Sequence, residues 1–292
     1  MPSRATTEED LAPELLRPAR WESGVIVCSP HSGRDYPQWF LDESHLTMVE
    51  LRSSEDAFMD RMIRPALAAG AVTLTARVPR SIVDLNRAAQ EFDPLTLTCR
   101  SGKPASPRAL AGLGVIPRVV AGGRPIRARP IALAEAKRRV ETYWRPYHST
   151  LRGLIDEARA RFGGAIVLDM HSMPHDAISH LVGPLPQVVL GDRHGQGCGP
   201  VLRDQLAGLI REAGFRFRLN APFSGAYMVS NYGRPAQNVH VMQIEIDRAM
   251  YLDAQRMQPS AGYEACAARV GRFLERAARL HPSEGAASLA AE

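Results

Sequence analysis

The chain has 292 residues, of which 45% are hydrophobic and 23% charged. That balance excludes wholesale disorder, and the length suffices to bury a core without a disulfide or metal staple. No apolar run approaches the roughly 20 residues of a membrane span, and the polar, acidic start (Met1 to Asp10) is unlike a secretory signal. The four cysteines (Cys28, Cys99, Cys198, Cys266) are too far apart for a CxxC metal site or a disulfide framework, so a reducing, cytoplasmic setting is expected. The formal net charge is +5, yet only Lys103 and Lys137 of the 36 basic residues are lysines. The arginines are dispersed, without interleaved aromatics, which predicts a solvated basic face and no nucleic-acid groove.

In chain order, an N-terminal extension over 1–20 precedes a first β-branched run at 24–29, read as a strand buried on both faces. A helix fits 45–69 and a second strand 71–75. Residues 82–83 suit a short strand. The proline- and glycine-rich stretch 88–130 reads as an irregular excursion covering a site. A helix over 132–162, kinked or broken at Pro146, leads to a strand at 165–169. A strand at 187–190, a helix at 199–213 and a strand at 239–246 follow. A last helix starts near Arg248 and resumes after Pro259, and a frayed tail occupies 282–292. The alternation predicts one three-layer α/β domain, with a mixed, mostly parallel sheet and helices on both faces.

Ligands in such sheets gather beyond the carboxyl ends of the strands, and those ends are unusually polar here. Ser29-Pro-His-Ser-Gly33 puts His31 on a turn after the first strand, and Asp169-Met-His-Ser172 puts His171 in an equivalent place. Two neutral imidazoles held by rigid elements suit a zinc ion, with Asp169 as a hydrogen-bonding partner. A third ligand is needed, and Asp35, Glu55 and Asp56 are the nearby carboxylates. Asp84, Asn86 and Arg87 cluster in Ile82-Val-Asp-Leu-Asn-Arg87, where Arg87 and Asn86 suit a carboxylate, or Arg87 an ion pair with Asp84. Glu245 is an acid on one face of an apolar strand, fit for a general base beside a metal or for a salt bridge.

Together with Tyr143-Trp-Arg-Pro-Tyr-His148, Leu190-Gly-Asp192, Ser224-Gly-Ala-Tyr227, Tyr232-Gly-Arg-Pro235 and Gln243-Ile-Glu-Ile246, these motifs resemble the N-formylglutamate amidohydrolase (deformylase) family from Val25 to about Asp253. That family is distantly similar to zinc carboxypeptidases and aspartoacylase-like hydrolases. The resemblance implies a carboxypeptidase-like α/β fold, one Zn2+, and an N-acyl amino acid as the small-molecule partner. N-formyl-L-glutamate would give formate and L-glutamate, a step in histidine breakdown. It implies His31, Asp56 and His171 as ligands, with Glu55 in reserve, and Glu245 as the catalytic glutamate, a general base toward zinc-activated water. Asn86 and Arg87 would bind substrate carboxylate. Arg80 and Tyr227 are further candidates toward oxyanion or substrate, and His148 and Asp192 stand behind them. The carboxypeptidase glutamate ligand, three residues after the first histidine, is here Arg34, and Glu55-Asp-Ala57 replaces the family's usual Thr-Asp-Trp. An amidase for another N-acyl amino acid and an inactive binding relative are the alternatives.

Overall fold

The computed structural model describes residues 11–98 and 106–285. Cys99, the middle of the 88–130 excursion, and parts of the predicted extension and tail lie outside those residues. The chain forms β1 (Glu14–Leu16), β2 (Val25–Ser29), α1 (Gln38–Glu43), α2 (Met48–Arg52), α3 (Met59–Met62), α4 (Pro65–Ala68), β3 (Val72–Thr75) and α5 (Pro107–Leu110). It continues with α6 (Leu133–Arg139), α7 (Arg145–Phe162), β4 (Ala165–Met173), β5 (Val188–Gly191), α8 (Pro200–Glu212) and β6 (Phe217–Leu219). Last come α9 (Tyr227–Tyr232), β7 (Val239–Asp247) and α10 (Tyr263–Ala277).

Seven strands make one sheet in the order β1-β3-β2-β4-β7-β5-β6. The pairs β3-β2, β2-β4, β4-β7 and β5-β6 are parallel, whereas β1-β3 and β7-β5 are antiparallel. Alternate side chains of the central strands enter different cores, as a strand covered on both faces requires. Ile26, Cys28, Val167 and Val241 pack with Tyr143, Tyr147, Leu151 and Leu154 of the α6–α7 layer. Val25, Val27, Leu168 and Ile244 pack with Met59, Met62, Ala66, Leu206, Val270 and Phe273 of α3, α4, α8 and α10. The three-layer α/β architecture expected from the alternation is therefore present.

Several expectations change. Residues 45–69 do not form one helix. A capping box at Thr47 starts α2, which ends at Ser53. The Asp56 N–H donates to the His31 carbonyl at 2.9 Å, and Phe58 takes a left-handed φ of 64°, so the chain turns before α3. The Ile82–Val83 segment is a turn rather than a strand, closed by Ile82 N–H donating to Pro79 O at 3.0 Å. Glu14–Leu16, expected in the extension, pairs with Thr73–Thr75 as an edge strand too short to show an alternation. Of the kink or break expected at Pro146, the break does not occur. Residues 140–144 widen into a π-helical turn that accommodates the missing proline N–H, and α7 runs on to Phe162.

Beyond β7, Arg248–Met250 makes a single 3-10 turn, and the next helix is α10. Of the predicted tail, Pro282–Gly285 forms a 3-10 turn, with Pro282 buried against Gly24 and Gly164.

Candidate metal centre

His31 follows β2 by two residues, as expected. His171 lies within β4, because that strand runs to Met173 instead of ending at Asp169. In the β4–β7 register Asp169 is opposite Gln243 and His171 is opposite Glu245. These four residues share the sheet face that carries Val167 and Val241 toward α7. The turn after α2 then delivers Asp56 from the other side.

His31, Asp56 and His171 are all buried, and one ligand atom from each falls within 4.8 Å of the others. His171 Nδ1 is 2.9 Å from Asp56 Oδ2 and His31 Nδ1 is 3.5 Å from it. The far nitrogens face carboxylates, with His31 Nε2 2.8 Å from Asp84 Oδ1 and His171 Nε2 3.0 Å from Asp169 Oδ1. Those carboxylates select the tautomer with hydrogen on Nε2, which leaves both Nδ1 lone pairs directed at the common point. His31 Nδ1 is buried without a hydrogen-bond partner. A cation fits this donor set: one carboxylate and two imidazole nitrogens, one of them with an orphaned lone pair.

The electrostatics agree. Burial alone would depress the His171 imidazole, but Asp169, Asp56 and Glu245 hold it well above its ordinary value. Burial opposes charge on Asp56, yet the adjoining His171 and His31 and the charge of Arg248 keep its carboxyl well below the usual range. Asp84 is likewise held low against burial, by Arg80, His31 and Arg87. The negative potential that attracts a proton to His171 would attract a cation to the same point. Glu245 is pushed up by burial, with the Asp56 charge acting in the same direction and His171 against it.

Of the two acids after α2, only Asp56 turns inward. Glu55 accepts from the Tyr36 hydroxyl at 2.7 Å and from Arg52 Nε at 3.0 Å, so it is not part of the His–Asp–His group. Asp35 pairs with Arg77, and Arg34 with Asp60. Asn86 is committed to the centre itself: its Nδ2 donates to Asp169 at 3.3 Å and its Oδ1 accepts from the Met228 N–H at 2.8 Å. Arg80 donates to Asp84 at 3.0 Å and lines the cleft. Arg87, only 4% exposed, gives Nε to Leu113 O and Nη1 to Asn86 O, each at 2.9 Å. It makes no ion pair with Asp84 among the described residues, so a buried cation reaches the cleft wall without a carboxylate partner.

Tyr227, expected at the substrate, instead packs its ring against Trp144 and His148 at the start of α9 and is not among the cleft-lining residues. Asp192 accepts from Asn220 Nδ2 at 2.7 Å and anchors the loop after β6, also away from the cleft. His148 is structural. Its Nε2–H donates to Leu85 O at 2.8 Å and its Nδ1 accepts from the Tyr232 hydroxyl at 2.7 Å.

Burial takes the His148 imidazole from its ordinary 6.5 down to about 4. The unfolded chain therefore binds a proton first, and folding stability falls as pH drops between those values, by about 3 kcal/mol. His148→Gln should remove this component. Urea unfolding at stepped pH is expected to show the wild-type advantage over the variant shrinking from pH 7 to pH 4. A constant gap would assign the acid loss elsewhere.

Two residues escaped the sequence reading. Arg248 donates to Asp56 Oδ1 at 3.0 Å, Ser172 Oγ at 3.0 Å and Ser53 O at 2.9 Å, locking the carboxylate in place. Gln243 donates to Glu245 Oε1 at 2.8 Å and accepts from the Ala226 N–H at 2.9 Å. Both were findable: Gln243 shares the strand face of Glu245, and Arg248 directly follows the carboxyl end of that strand.

The cleft holds about 340 Å³. Its wall takes in Arg108, Leu113, Val119 and Gly122, from the described part of the 88–130 stretch. A buried His–Asp–His group at the carboxyl ends of parallel strands, with an acid on the adjoining strand, makes this an α/β protein with a candidate metal centre. The chain belongs to the N-formylglutamate amidohydrolase family, whose model matches residues 23–252. It is 36% identical over 235 residues to N-formylglutamate deformylase of Pseudomonas putida, covering 78% of this chain and 82% of that one. The Pseudomonas aeruginosa N-formylglutamate deformylase is 31% identical over 247 residues, covering 83% and 87%. The crystal structure of N-formylglutamate amidohydrolase from Ralstonia eutropha JMP134 superimposes with a TM-score of 0.86 at 31% identity, covering 92% of this chain and 97% of that one. No helix among the described residues is long and apolar enough to cross a membrane.

Proposed function

We propose that this protein hydrolyses the formamide bond of N-formyl-L-glutamate, giving formate and L-glutamate, with one Zn2+ held by His31, Asp56 and His171. The observation that carries the reading is the meeting of this ligand group with Glu245 in one cleft of a chain from the amidohydrolase family. Asp84 and Asp169 orient the imidazoles. When bound, the zinc supplies Lewis-acid polarisation of the formyl carbonyl and an acidified water.

Glu245 takes a proton from the water as its oxygen bonds to the formyl carbon. It then delivers that proton to the amide nitrogen as the C–N bond breaks, so the amine leaves neutral. Gln243 fixes the carboxylate for both transfers. Arg80 offers its remaining donors to the developing oxyanion. Arg87 takes a substrate carboxylate, which supplies the counter-charge that its buried guanidinium lacks. Asn86 serves by holding Asp169 and α9, not by direct contact.

Gly122, Gly123 and Phe223 also line the cleft, and such wall residues beside the metal group favour a second reading, an amidase for larger N-acyl groups. A panel of N-formyl, N-acetyl and peptidyl glutamates separates the two. The purified protein should hold about one zinc per chain, and formate release should exceed acetyl cleavage by at least roughly tenfold in kcat/KM. Chelation should abolish turnover and added zinc restore it. Equal turnover across acyl groups would remove the formyl assignment, and full activity in metal-stripped protein would remove the zinc.

A further inference from the structure

Four arginines line the cleft, and they differ in what they are bound to. Arg248 is saturated by Asp56, Ser172 and Ser53, and Arg80 is paired with Asp84. Arg87 has only carbonyl partners. Arg108 is exposed, and its guanidinium has no hydrogen-bond or ion-pair partner among the described residues. Glu91, which acts on Arg87, is engaged by the Ser106 hydroxyl at 2.5 Å and faces the Ala88 N–H at 3.4 Å.

Arg108 is nonetheless firmly placed. Ser106 Oγ accepts from the Ala109 N–H at 3.1 Å and caps the short helix α5, while Ala109 is completely buried. The Leu113 N–H donates to Arg108 O at 2.9 Å, and Leu113 O in turn accepts from Arg87 Nε at 2.9 Å. One loop residue thus ties the two arginines together. Burial, with the charges of Arg80 and Arg108, weakens the hold of Arg87 on its proton against the opposing charges of Asp84 and Glu91, so the guanidiniums repel one another. Two tethered cations facing one cleft, neither paired with a protein carboxylate, form a receptor for two negative charges.

We infer that Arg108 is a specificity residue of the amidohydrolase site, binding the side-chain carboxylate of a dicarboxylic N-acyl amino acid whose α-carboxylate is held by Arg87. This rests on the proposed hydrolysis for its substrate, though not on its metal. Arg87, buried next to Asn86, takes the carboxylate common to all amino acids. Arg108, at the solvent-facing rim, takes the charge that distinguishes an acidic side chain from a neutral one of the same shape.

The test compares N-formyl-L-glutamate with N-formyl-L-glutamine, isosteric but neutral at the side chain, in wild type, R108Q and R108K. For R108Q, kcat/KM on the glutamate compound should fall on the order of tenfold to a hundredfold, mainly through KM. The glutamine compound should change less than about twofold, and R108K should recover part of the loss. Equal losses on both compounds, or no loss on either, would overturn the assignment. If wild type turns over neither compound, the hydrolysis reading fails. Calorimetric binding of the two compounds then decides Arg108: selective loss of the glutamate compound in R108Q supports it, and unchanged preference overturns it.

Discussion

Asp56→Ala is expected to destabilise the metal-free protein by about 3–5 kcal/mol and to abolish stoichiometric metal binding. Asp56 is fully buried and serves Arg248, Ser172 and His171 at once. Its removal leaves the Arg248 guanidinium in a closed site without its counter-ion, and both histidine Nδ1 atoms without an anion. Asp56→Asn separates the two effects. The asparagine Oδ1 can still accept from Ser172 and Arg248, so stability should fall less, while the charge that a cation would meet is gone. Urea unfolding of stripped protein measures the first effect, and metal analysis after dialysis the second. An alanine variant that retains about one equivalent of zinc with wild-type affinity would exclude Asp56 as a ligand.

Glu245→Gln should lower kcat by roughly two to four powers of ten with metal content and unfolding midpoint unchanged. The substitution keeps the side-chain volume, and Gln243 Nε2 can still donate to the remaining Oε1. Only the capacity to take and return a proton disappears. The loss should persist at saturating substrate, because Arg87 and the ligand group are untouched. Turnover within a few-fold of wild type would remove Glu245 from the chemistry, and loss of zinc in the same variant would make it part of the metal site instead.

The parts of this molecule that were legible in advance are those whose side chains answer to one local rule. β2, β3, β4, β5 and β7 are apolar because both faces are covered, and that burial reads directly as short β-branched runs. β1 and β6 are three-residue edge strands, Glu14–Leu16 and Phe217–Leu219, too brief for any period to emerge. The segment 45–69 has helical composition throughout, but a tertiary bond from the Asp56 N–H to the His31 carbonyl interrupts it, and no local pattern encodes that partner.

The same divide runs through the site. His31, His171 and Glu245 stand out as polar groups at or near the ends of buried strands. Asp56 came only from family likeness, since its neighbour Glu55 looks equivalent until Tyr36 and Arg52 are seen to hold it. Tyr227 looked like a substrate contact because it follows Ser-Gly-Ala, yet the aromatic wall of Trp144 and His148 claims its ring. Arg248 stood in the sequence only as the start of a helix, and its three partners, Asp56, Ser172 and Ser53, come from elsewhere in the chain.

The register that sets His171 beside Glu245 is held by backbone hydrogen bonds between β4 and β7, whereas the wall bearing Arg108 belongs to a loop excursion. A one-residue slip of either strand would send every side chain to the opposite face, so mutation has little freedom there. Exchanges at the exposed positions of the excursion carry no such penalty, whereas its Ala109, Val115, Ile116 and Ile126 are fully buried. Relatives of this chain can therefore acquire new diets by rewriting the cleft-facing positions of residues 106–130 while keeping an unaltered reaction centre, and paralogues with divergent appetites should differ first there.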